Sequence, residues 1–95
     1  MKLKYEEKVI REINYHDLDA FISEAFGIKY ECVAYEEWGN YQSHSFTVER
    51  EIVDEYLSQQ LAAGIIPKYS TALFLNQACN LGLIEPGEYL VEVSW

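Results

Sequence analysis

The side chains able to do chemistry in this 95-residue chain are few and poorly matched in spacing. A nucleophile would come from Cys32 or Ser45, with His44 as its base. On a hairpin whose loop is Gly39-Asn40, Cys32 and His44 point to opposite faces, which argues against that pair. Two His and two Cys offer no Cys-x-x-Cys or His-x-x-x-His spacing, so no metal site is expected. Cys79 is expected to pack in the core, as free Cys commonly does. Glu6/Glu7, Glu36/Glu37 and Asp54/Glu55 are adjacent pairs. Neighbours diverge on a strand or a helix, so spacing alone makes none of them an acid/base dyad. The five glycines are scattered singly and form no phosphate-cradling loop. The expectation is a protein without catalysis and without a cofactor.

Charge says more than any motif. Seven basic residues face sixteen acidic ones, a formal net charge of −9. Residues 1–13 are nearly balanced at +1, so residues 14–95 carry −10. Phosphate binding needs Lys and Arg to displace counterions, so nucleic acid and anionic membranes are unsuitable partners. A basic protein surface fits better. No stretch approaches the roughly 20 apolar residues of a membrane span, and the N-terminus is charged. A cytoplasmic setting is expected.

These residues must be positioned by elements that the pattern partly reveals. Residues 2–13 alternate Leu3, Tyr5, Val9 and Ile13 with charged positions, as a strand with one wet face does. Asn14 caps a helix over 15–26, with Ile13 and Leu18 as a hydrophobic staple and Gly27 as its stop. Residues 28–48 read as a hairpin in which Val33 faces Phe46 and Tyr35 faces His44. A second helix is expected from Glu49 to Ala63, stopped by Gly64, and a third capped by Ser70, with Tyr69 and Phe74 as its staple and Gly82 as its stop. Glu85-Pro86-Gly87-Glu88 suits a type II turn before a last strand over Tyr89–Trp95. The order β-α-β-β-α-α-β predicts a single α+β domain, a mostly antiparallel sheet of about four strands covered by helices.

Two surfaces then stand out for recognition. The hairpin tip gathers Glu36, Glu37, Trp38, Asn40 and Tyr41, and exposed Trp and Tyr beside charge are typical interface anchors. The wet face of the second helix carries Glu51, Asp54 and Glu55. The contact set expected for a basic partner is therefore Glu36, Glu37, Trp38, Tyr41, Glu51, Asp54 and Glu55. Joined, the two surfaces could imitate part of a DNA backbone. The third helix lacks Arg and Lys, so it does not read as a DNA-recognition helix.

Three stretches, Tyr15-His16-Asp17-Leu18 through Phe26-Gly27, Trp38-Gly39-Asn40 through Phe46, and Gly87-Glu88-Tyr89-Leu90-Val91, resemble the small acidic proteins of tailed bacteriophages. The resemblance implies context and no catalytic residues: such proteins bind and inhibit host proteins, nucleases and other defence factors among them. The leading expectation is an acidic, non-enzymatic inhibitor of a basic host protein. The alternative is a homo-oligomeric module that binds a small molecule or nucleotide, favoured by the apolar stretch Ile65–Pro67 and the nearly all-apolar third helix.

Overall fold

Asn14 closes the first strand and opens the first helix, and the rest of the molecule is built outward from that junction. The computed structural model describes residues 10–39, 42–50 and 55–93. In chain order the elements are β1 (Ile10–Asn14), α1 (Tyr15–Phe26), α2 (Cys32–Glu36), β2 (Gln42–Val48), α3 (Glu55–Ala62), α4 (Thr71–Asn80) and β3 (Gly87–Val93). The Asn14 side chain accepts the His16 N–H at 2.9 Å, satisfying one of the helix's otherwise unpaired donors.

The four described helices end in the same way. The chain turns through a left-handed residue, and the following N–H reaches back five positions to a helical carbonyl. These bonds are Ile28 to Ser23 (3.1 Å), Trp38 to Val33 (3.0 Å), Ile65 to Gln60 (2.9 Å) and Leu83 to Ala78 (2.9 Å). Gly27, Gly64 and Gly82 supply the positive φ at three of them. At α2 the residue is Glu37, at φ 59°.

β3 is the centre of a three-stranded mixed sheet ordered β1-β3-β2. β1 runs parallel to it with Ile13 opposite Val91, and β2 antiparallel with His44 opposite Val91. Tyr89, Val91 and Val93 face the helices and are buried, as the alternation of the last strand predicts. With Leu18 and Ile22 of α1, Leu57 of α3, and Phe74, Leu75 and Cys79 of α4, they form one hydrophobic core. Among the described residues the helices pack on the face of the sheet that carries Tyr89, Val91 and Val93.

The expected four-stranded antiparallel sheet is thus replaced by three strands of mixed direction. Its missing member is the first arm of the hairpin, because residues 32–36 are helical. Alternating Cys32, Val33, Ala34 and Tyr35 also satisfies one turn of helix, and a tertiary contact decides the matter. Asp19 of α1 accepts the Cys32 N–H at 2.8 Å, doing from 13 residues away what a local cap would do. Tyr35 consequently stacks on Tyr30, and His44 on Trp38, in place of the expected Tyr35–His44 and Val33–Phe46 pairs.

Smaller departures have equally local causes. Glu49 and Arg50 precede the described helix α3, and the Glu49 N–H donates to Asn76 Oδ1 at 3.2 Å. Tyr69 is exposed, so it does not staple onto Phe74. Gly87 has φ 144°, away from the roughly 80° of a type II turn. A Cβ there would stand 2.6 Å from Arg11 Nη1, which donates to the Pro86 carbonyl at 3.3 Å. Residues 2–9 of the expected first strand lie outside the described residues, as do Ser94 and Trp95.

Asn14→Ala should lower the unfolding free energy by about 1 kcal/mol through loss of the cap. Urea titration checks this, with a lower midpoint and an unchanged slope as the expected outcome.

Candidate partner-binding site

The run Glu36-Glu37-Trp38 ends α2 and makes the left-handed turn just described, so it is not the tip of a hairpin. Glu36 Oε1 accepts the N–H of Thr71 at 2.7 Å. It does the work expected of Ser70, whose own side chain makes no capping bond, and it places a carboxylate at the positive end of α4. Glu37 is tied to the loop before α4 by both oxygens, one to Lys68 Nζ at 2.9 Å and the other to the Tyr69 hydroxyl at 2.5 Å. These two donors hold its carboxyl below the ordinary value of 4.5. Tyr69 is itself left-handed at φ 57°, and its N–H donates to the Tyr35 carbonyl. Two non-glycine residues in a conformation costing roughly 1–2 kcal/mol each are therefore fastened to one another.

Tyr30 lies beneath this seam, 2% exposed. Its hydroxyl is 2.7 Å from Thr71 Oγ1 and 3.4 Å from Ser70 Oγ, and its ring stacks on Tyr35 at 5.3 Å. Burial pushes its pKa up to about 12, against the two hydroxyl contacts that favour ionisation. Trp38 is half-buried, its indole 4.1 Å from the His44 ring and nearly parallel to it, with Phe46 alongside. It closes the core face of β2 over a buried His44 Nε2 that has no hydrogen-bond partner among the described residues.

The other expected contacts are placed apart from this seam or not described. Glu55 is exposed in the first turn of α3. Tyr41, Glu51 and Asp54 lie outside the described residues. Cys32 is fully buried, its thiol toward the Tyr15 carbonyl at 3.9 Å, and burial together with Asp19 pushes its pKa far up. A thiol held neutral in this way is a poor nucleophile. Among the described residues no three His, Cys, Asp or Glu converge as metal ligands, and no helix is long and apolar enough to cross a membrane.

The sequence reading passed over the outer face of the sheet. Register puts Glu12, Leu90 and Ser45 in one row, Asn14, Glu92 and Ser43 in the next, and Ile10, Glu88 and Thr47 in the third. Glu12 and Glu92 are exposed, as are all three hydroxyl residues of β2, and Ile10 is 54% exposed. No described basic residue belongs to these rows. The alternation of Glu88, Leu90 and Glu92 was visible as the wet side of a strand. What could not be seen was that β1 and β2 flank it.

A groove of about 350 Å³ runs between α1 and α2, lined by Tyr15, His16, Asp19, Glu31, Val33 and Ala34. Its two carboxylates disfavour a nucleotide phosphate. Comparison with protein-family models, curated proteins and solved structures finds no match to this chain.

Tyr30→Phe should cost about 1–2 kcal/mol at neutral pH, since it strands two buried hydroxyls. A tyrosine whose folded pKa is raised stabilises the fold fully below its ordinary value of 10.0, and that stability is lost as pH climbs toward about 12. Urea midpoints should accordingly fall less steeply in Tyr30→Phe than in the parent over this range.

Glu37→Gln should lower the Tm slightly. The lowered Glu37 pKa makes its contribution complete above 4.5 and lost as pH falls through the folded value, while the raised Lys68 pKa preserves it up to the ordinary lysine value of 10.5. Melting curves of both proteins should therefore differ between these limits and converge in acid.

Proposed function

We propose that this chain is a non-enzymatic interaction protein that docks on, and inhibits, a protein with a basic surface. The observation that carries the reading is the sheet's outer face, where exposed Glu12 and Glu92 flank half-buried Leu90 beside exposed Ile10. An apolar centre rimmed by charge of one sign suits a complementary patch of opposite sign, which also speeds encounter. The expected contacts Glu36 and Glu37 are engaged in holding α2 to α4, which favours moving the docking surface to the sheet. Glu55, exposed in the first turn of α3, remains a separate candidate. The resemblance to small phage proteins, together with the net charge of −9, supports a host nuclease or defence factor in the cytoplasm as the target class.

Ordinary docking fits better than imitation of DNA. Glu88 and Glu92 are four residues apart on one strand, about 13 Å at strand rise. A duplex would place roughly eight charges along that length. Three carboxylates are too sparse an array.

The test is affinity capture from bacterial lysate with the parent, with Glu12→Lys/Glu92→Lys, and with Glu24→Lys, a charge reversal on exposed α1 surface. One basic protein should be retained by the parent and by Glu24→Lys, be released by high salt, and be lost by the double reversal by about tenfold or more. Retention of the same protein by the double reversal would remove the sheet face from the site.

A further inference from the structure

A sheet whose two outer strands differ in protection offers more than a face. β1 carries Arg11 and Glu12 on its five residues, and charge is the usual guard of a free edge. β2 spans seven residues, Gln42–Val48, with no charged side chain and no proline. Its register with β3 is continuous from Gln42–Val93 to Val48–Gly87, so no bulge twists it away. Among the described residues its backbone pairs on the β3 side only. Alternate N–H and C=O groups of β2 therefore point outward, as a template for another strand.

The side chains beside that template select what is added. Ser43, Ser45 and Thr47 are small, so they form a shallow trough between the free edge and the Glu92, Leu90 and Glu88 rows of β3. A strand added to β2 would lie two strand spacings from β3, about 9.6 Å. A Lys or Arg side chain in the Ser43 row can span the trough to Glu92, and an apolar one in the Ser45 row can meet Leu90. On the core side Trp38 is stacked against His44, which closes the edge below.

We infer that the free edge of β2 captures an extended segment of the basic partner by strand addition, reading a basic–x–apolar–x–basic alternation across the Ser43, Ser45 and Thr47 trough. The inference rests on the docking function proposed above and names the form its partner takes. Main-chain bonds supply affinity in this mode, and alternate side chains supply selectivity.

The experiment uses the full ¹⁵N-labelled chain and three blocked peptides, Thr-Lys-Thr-Val-Thr-Lys-Thr, its scramble Thr-Thr-Lys-Lys-Val-Thr-Thr, and the uncharged Thr-Gln-Thr-Val-Thr-Gln-Thr. The alternating basic peptide should protect alternate amides of Gln42–Val48 from hydrogen exchange and bind about tenfold more tightly than the scramble. Ser45→Lys, a change at an exposed position, should abolish that preference, and Glu92→Gln should weaken it. Equal binding of the scramble without protection in β2 overturns strand addition and leaves electrostatic docking standing. Equal binding of the uncharged peptide, with protection, keeps strand addition and removes the basic partner. Failure of all three peptides to bind, or β2 protection that rises with protein concentration alone, assigns the edge elsewhere and overturns the inference.

Discussion

The buried hydroxyl of Tyr30 is the constraint on which the arrangement of helices depends. A ring that is 2% exposed must find a partner for its O–H, and the partners are Thr71 and Ser70, some 40 residues further along. That requirement fixes the start of α4 against the end of the α1–α2 connection. Tyr35 then stacks on one side and Phe74 meets the ring edge-on, so the same side chain orders both helices it lies between. With α4 in place, Glu36 reaches its first N–H and Glu37 reaches Lys68 and Tyr69. The acidic run after α2 is thus part of the clamp that Tyr30 begins.

What the sequence revealed and what it concealed divide along the range of the interactions. Asn14, the Leu18–Ile22 stripe and Gly27 act within a few residues of one another, and helix 15–26 is found where they place it. The buried alternation Tyr89-Val91-Val93 is equally local. α2 is short, and neither of its ends carries a local signal. Its first N–H is satisfied by Asp19, and its last turn closes at Glu37 where the other three helices use glycine. Without a glycine at that point, Gly39 looked like the turn, and a helix was read as a strand. Ser70 misled in the same way, since the cap it was expected to provide comes from Glu36.

The candidate site follows the same division. Spacing drew attention to Glu36, Glu37 and Trp38 because acids and an indole stand together in the chain. Folding turns two of those carboxylates onto an N-terminus and a Lys–Tyr pair, and the indole onto an imidazole. Glu12 and Glu92 are 80 residues apart in the chain yet share one face, and only the parallel pairing of β1 with β3 unites them. An acidic chain has to separate the carboxylates that hold it together from those it offers to others. Among the described residues the separation runs between the helical side of the sheet and its other face.

The order β1-β3-β2 has a temporal meaning as well. The two outer strands do not touch, and each is completed only by the strand that comes last of the three, with pairs such as Ile10–Glu88 joined across nearly the whole described chain. No hairpin can nucleate this sheet, because closing it requires long loops before any ladder bond compensates their entropy. During synthesis α1 can form as soon as it emerges, whereas β1 and β2 must wait unpaired until β3 arrives. Until β3 is made, the uncharged β2 segment lacks its sheet neighbour, and that leaves it open to unwanted pairing.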